Sequence, residues 1–206
     1  TGSEVGRAGV LTNSATHRKK IIFHPKLMPV VTICDPALTV GMPRFITAGT
    51  GMDALAHCLE AYCSPFFHPM SQGIALEGMR LVLENLPTVY DEPGDLEARG
   101  QMMAAAAMGA VAFQKGLGAI HAISHPVGAV CTSHHGTTNA GGFDGFRDVV
   151  MELREAFDIP ANLSAMGVEG NRVDDLVEMA LEDPSCGGNP VELTAENMRG
   201  LIEACL

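Results

Sequence analysis

Asp53 and His57 sit among Met52, Ala54, Leu55 and Ala56, so a carboxylate and an imidazole are committed to an apolar neighbourhood. Met52, Leu55, Leu59 and Tyr62 recur at three- and four-residue intervals, and that period predicts a helix over Ala48 to Tyr62. Positions four apart share a helix face, so the Asp53 and His57 side chains point the same way. A charge among apolar groups needs a partner, and a metal ion is one. Taken alone, D-x-x-x-H is most often a plain i,i+4 pair. A second block adds to it: His121 and His125, then His134 and His135, all within fifteen residues. One carboxylate oxygen with three neutral imidazoles suits a divalent transition metal that keeps an open position. Packed helices can bring two such blocks together.

The rest of the chain supplies those helices. Ser71 to Leu86 carries Ile74, Met79, Val82, Leu83 and Leu86 at helical spacing, and Pro87 predicts its end. Leu96 to Gln114 reads as an apolar helix in which Ala104 to Ala107 and Gly109 admit close neighbours. Gly116 to Gly118 break it, and a further helix begins near Ile120 and contains or abuts Pro126. Phe143 to Phe157 is amphipathic, and Ile159-Pro160 ends it. Val173 to Leu181 is a short helix. Thr194 is a candidate N-cap for the last one, whose apolar face holds Met198, Leu201, Ile202 and Cys205. Ahead of all these, Val10–Thr12 and Val30–Cys34 are β-branched runs bounded by turn residues and read as strands. The expected fold is mainly α: a multi-helix metal-binding domain over 47–206, preceded by a β-containing segment over 1–46.

Charge narrows the function classes. A formal net charge of −11 argues against a nucleic-acid partner, because phosphate contacts need clustered Lys and Arg. The one basic run, His17-Arg18-Lys19-Lys20, reads as a solvated turn. No apolar stretch is long enough to span a bilayer, so no membrane partner is expected. The nearest, Met102 to Phe113, is short and flanked by Arg99 and Lys115, which suits a buried helix. Six cysteines form no C-x-x-C pair and lie among apolar neighbours, as reduced thiols of a cytoplasmic protein would.

Longer stretches of wording carry a resemblance. They are Thr1-Gly2-Ser3-Glu4-Val5, Asp35-Pro36-Ala37-Leu38-Thr39 with Gly41-Met42-Pro43, and Thr47 to His57 with Glu60-Ala61-Tyr62. The run Gly116 to Gly128 follows, then His135-Gly136 with Asn139-Ala140, then Asp183, Asn189-Pro190 and Leu193-Thr194. In this order and spacing the chain resembles the iron-containing (group III) alcohol dehydrogenases over nearly its whole length.

The resemblance implies a divalent metal, Fe²⁺ with Zn²⁺ as the alternative, held by Asp53, His57, His121 and His135. His135 is preferred to His134 because it directly precedes Gly136 in the H-G-x-x-N-A pattern. His125 matches the catalytic-site histidine beside the nicotinamide. Thr1, Lys19, Leu38, Thr39 and Met42 match contacts to NAD or NADP, while Ala8 stands where relatives can carry a polar contact. The implied activity is hydride transfer between an alcohol and its aldehyde or ketone, with the metal polarising the substrate oxygen. The alternatives are a maleylacetate reductase-type or glycerol dehydrogenase-type member, or a non-catalytic metal-binding fragment. The family's habit implies a homo-oligomer, dimer or larger. It also implies that 1–46 is the remnant of a nucleotide-binding α/β domain. The Gly-Gly-Gly-Ser pyrophosphate loop of that domain does not occur here, and a segment of a few tens of residues is expected to be missing between Ala140 and Gly141.

Overall fold

The computed structural model describes residues 1–16, 18–130 and 147–206. Helices α1 (Arg44–Cys63), α2 (Pro69–Asp91) and α3 (Leu96–Ala112) pack on one another. Met52, Leu55, Val82, Leu86 and Val89 fill the space between them. Gly109 sets the approach of α3 to α1: a Cβ there would stand 3.0 Å from His57 Cβ and 3.2 Å from the Ala54 carbonyl oxygen. Asp95 caps α3 by accepting from the Ala98 amide at 2.9 Å. Just beyond α3, the buried Lys115 ammonium donates to the carbonyls of Ala61, Tyr62 and Ser64 at 3.0, 3.1 and 2.5 Å. It thereby closes the C-terminal end of α1.

Pro87 does not end α2, contrary to the sequence expectation. The helix runs four residues further, to Asp91. Proline removes one backbone hydrogen bond, at a cost of roughly 3 kcal/mol in a helix interior. Burial of Leu86, Val89 and Tyr90 on both sides of it opposes that cost. Arg44 secures the end by donating from Nε to the Tyr90 carbonyl at 2.9 Å and lying 4.4 Å over the Tyr90 ring.

After the break at Gly116–Gly118 comes α4 (Ala119–Val130), with Pro126 inside it. Helices α5 (Arg147–Ala156), α6 (Val173–Leu181) and α7 (Ala195–Ala204) follow. The Phe157 ring, 4.6 Å from that of Tyr90, ties the end of α5 to the first bundle. A second core joins α4, α6 and α7 through Ala122, Val127, Leu176, Met198 and Ile202. Thr194 caps α7 as expected, in a reciprocal box with Asn197.

The first 43 residues carry strands β1 (Ala8–Asn13) and β2 (Arg18–Phe23), antiparallel, with Ala8 opposite Phe23 and Asn13 opposite Arg18. Strand β2 packs on α4, and Arg18 pairs with Glu178 and Glu182 beside α6. The expected strand over 30–34 does not form. That segment is without helix or strand, with Val30 100% and Ile33 85% exposed. A strand needs a neighbour to take its amides and carbonyls, and the described residues offer it none. The architecture is mainly α, as expected, with seven α-helices and a two-stranded sheet among the described residues. No single helix among them is long and apolar enough to cross a membrane. His17, Cys131, His134, His135, Asn139 and the Ala140–Gly141 junction lie outside the described residues.

Candidate metal centre

The middle of α1 and the first turn of α4 meet at one buried point. Asp53 and His57 come from α1 and His121 from α4, and all three are enclosed. His121 Nε2 lies 3.5 Å and His57 Nε2 3.8 Å from Asp53 Oδ1. The two imidazoles stack at 4.6 Å with 16° between their planes. The Phe113 ring edge closes over His57 at 4.9 Å.

The surroundings set opposite charge preferences on the two rings. Burial drives His57 down to about 3, and the nearby Asp53 charge only partly opposes it. Burial also pulls His121 down, but hydrogen bonds to Asp53 and Glu60 outweigh it and carry that imidazole up to about 9. His57 therefore keeps a neutral ring with a lone pair, and its Nδ1 has no partner among the described residues. One carboxylate oxygen and two imidazole nitrogens, all within 4.8 Å of one another, fit a divalent transition ion. The fourth expected ligand, His135, lies outside the described residues.

His125 follows His121 by one turn of α4, with their rings 5.8 Å apart at 72°. Its Nδ1 lies 2.7 Å from Asp183 Oδ2, and Asp183 Oδ1 accepts from the Ser185 amide at 2.8 Å. Burial pushes the Asp183 carboxyl up, yet the bonds from His125 and Ser185 outweigh it and hold it below its ordinary value. The ionised carboxylate accepts, so the His125 proton sits on Nδ1. Lys19 reaches toward the same place from β2. Burial lowers its ammonium, against the opposing pull of Asp183 and then Asp53.

The other expected cofactor residues lie elsewhere. Thr1, Thr39 and Met42 line one cavity of about 220 Å³, walled by Thr47, Arg99 and Met102 of α1 and α3. Leu38 is exposed and outside that lining. His24 and His68 are exposed loop residues that accept from the Lys26 and Ser71 amides. Sequence reasoning assigned no role to Glu60, Asp183 or Lys115. Glu60 carried a partial signal, since it lies seven residues after Asp53 on the same helix face. The partners of Glu60 and Asp183 are 61 and 58 positions away in sequence, beyond any local pattern.

These features define a helical domain with a buried carboxylate–imidazole cluster at the junction of two helices. Residues 47–144 match the sequence profile of the Fe-containing alcohol dehydrogenase family, C-terminal part. The chain belongs to the iron-containing alcohol dehydrogenase family. It is 34% identical to 4-hydroxybutyrate dehydrogenase of Cupriavidus necator over 241 aligned positions, covering 98% of this chain and 62% of that enzyme. The solved structure of a 1,3-propanediol oxidoreductase superposes with a TM-score of 0.92 at 29% identity, covering all of this chain and 63% of that one. Sulfoacetaldehyde reductase from Bifidobacterium kashiwanohense, solved with NAD⁺, gives a TM-score of 0.89 at 28% identity, covering all of this chain and 62% of that one. The chain thus spans less than two thirds of the length of these relatives.

Proposed function

We propose that this chain is the metal-binding part of an NAD(P)-dependent alcohol dehydrogenase that interconverts an alcohol with its aldehyde or ketone. The observation that carries the reading is the buried Asp53–His57–His121 cluster, a charge-bearing donor set in an apolar core that is costly without a cation to hold. Asp53 Oδ1, His57 Nε2 and His121 Nε2 would hold the ion, with His135 as the proposed fourth ligand. Iron is the proposed metal and zinc the alternative. A divalent ion there supplies Lewis acidity toward the substrate oxygen, and a nicotinamide supplies or takes the hydride.

The chain's own residues prepare that chemistry. Phe113 and the close α1–α3 contact at Gly109 keep water from the back of His57. Asp183 holds His125 by Nδ1, so the ring orientation beside His121 is fixed. His125 is proposed to flank the nicotinamide. Lys19, Leu38, Thr39, Met42 and Thr1 are proposed cofactor contacts. Residues 1–46 are proposed to belong to a nucleotide-binding domain, which would cover the open apolar side chains of Val30 to Ile33. The alignment to the Cupriavidus necator enzyme uses 241 positions and covers 98% of the 206 residues here, about 202, so about 39 positions are gaps in this chain. Those gaps support a missing internal segment.

Metal analysis of the purified chain and of His57→Ala tests the reading. Wild type is expected to hold one equivalent of iron or zinc, and the variant to lose affinity by more than about a hundredfold, beyond what outer-shell changes cost. Stoichiometric metal at unchanged affinity in His57→Ala would sink it.

A further inference from the structure

We infer that Glu60 is a positioning residue for His121: its carboxylate decides which ring nitrogen is turned toward Asp53 and His57. The inference rests on the reading of those three residues as metal ligands.

Glu60 is buried in α1, nearly one turn past His57. Both of its oxygens are committed to α4. Oε2 lies 2.5 Å from His121 Nδ1, and Oε1 accepts from the Ile120 backbone amide at 2.8 Å. A carboxylate accepts hydrogen bonds, so Glu60 keeps a proton on Nδ1, and Nε2 is the nitrogen left to give up its proton and offer a lone pair to a metal. Nε2 is the atom that lies 3.5 Å from Asp53 Oδ1. Because Oε1 is held by a backbone amide in the first turn of α4, the carboxylate cannot turn without breaking that bond. Gly118 leaves the room this requires: a Cβ there would come within 3.0 Å of Glu60 Oε1 and 2.8 Å of Asn189 Oδ1. One side chain therefore fixes both the helix that carries the ligand and the tautomer of the ligand. His57 shows the contrast, with its Nδ1 unpartnered among the described residues. Of the two imidazoles, His121 is the anchored one.

A plain capping role is the competing account. Asn189 separates the two, because its Oδ1 accepts from the Ala119 amide at 3.1 Å and so caps the same helix end, while its Nδ2 donates to the Val191 carbonyl at 2.7 Å. Glu60→Gln retains an oxygen for the Ile120 amide. Its NH₂ must then donate to Nδ1, which moves the ring proton to Nε2 and blocks the lone pair.

The test is Zn²⁺ and Co²⁺ affinity by competition with a chromophoric chelator, together with the visible spectrum of the Co²⁺ form. Glu60→Gln is expected to lose about ten- to a hundredfold in affinity and to alter the Co²⁺ bands, with its far-UV circular dichroism unchanged. Asn189→Ala is expected to stay within about threefold of wild type. Unchanged affinity and spectrum in Glu60→Gln, with wild type binding normally, would overturn the inference alone. So would an equal loss in Asn189→Ala. If Glu60→Gln does not fold, ring-¹⁵N resonances of Zn²⁺-loaded wild type decide. Coordination of His121 through Nε2 with Nδ1 protonated supports the inference, and coordination through Nδ1 overturns it. A wild type that binds neither ion removes the ligand reading, and this inference with it.

Discussion

In α1 to α3, Met52, Leu55, Leu86 and Val89 are enclosed on every side, whereas Val10, Leu11, Phe23, Val30 and Ile33 in the first 43 residues lie open. The two regions have similar appetite for burial but satisfy their backbones differently. A helix closes its hydrogen bonds within itself and needs only one apolar face covered. A strand depends on a neighbour for its amides and carbonyls, so a short hairpin is all that the first region completes. The chemistry divides along the same line. The proposed ligands Asp53, His57 and His121 belong to helices, while Thr1, Lys19, Leu38, Thr39 and Met42, all of the proposed cofactor contacts except His125 of α4, belong to the first 43 residues. The helical part therefore encloses three of the four proposed ligands, and the first part leaves its apolar side chains exposed.

The stability contrast can be broken most directly. Leu86→Ala should lower the unfolding free energy by about 2–5 kcal/mol, as large-to-small core changes do. Val31→Ala should stay within about 0.5 kcal/mol. Urea titrations followed by circular dichroism compare them, and equal losses would mean that the segment at 29–34 is as well packed as the bundle. The functional contrast is tested next. In the active enzyme, Lys19→Ala should raise the Michaelis constant for the nicotinamide about tenfold, the worth of one charge-assisted hydrogen bond, and that for the alcohol less. The reverse ordering would place Lys19 on the substrate side.

The smallest effect sharpens the picture inside the helical region. With His121 raised to about 9 and His57 lowered to about 3, metal uptake at pH 7 should release close to one proton, from His121. Calorimetry in buffers of different ionisation heat reads that count. Release of no proton would contradict the assigned charge states. The signs for the metal-free chain follow from the same shifts. His121 binds its proton more tightly when folded, so its contribution is full below its ordinary value of 6.5 and is lost as pH rises to about 9. His57 resists protonation when folded, so its contribution is present above 6.5 and is lost as pH falls toward 3. From these two groups, metal-free stability should peak near pH 6.5.

Local periodicity made most of the helices legible. Val173–Leu181 matches its helix end to end, Thr194 caps the last one, and the β-branched run at Val10–Thr12 lies in a strand. The failures lie where distant contacts outvote local preference. Pro87 sits inside α2 because the flanking side chains are buried, and Val30–Cys34 stays unpaired because strand propensity cannot supply a partner. At the site, Asp53 and His57 were readable as an i,i+4 pair, since four residues of helix fix their common direction.

By itself the sequence determined the excess of negative charge, which is a plain count, and most of the helices and the shared face of Asp53 and His57, because these follow from neighbours a few residues apart. Only the tertiary structure decided that His121 stacks on His57, that Glu60 holds one nitrogen of His121, and that Asp183 holds His125. Those pairings join positions about sixty residues apart. Which nitrogen bears a proton, and whether a buried ring is charged, depends on partners that the chain supplies only once it has folded.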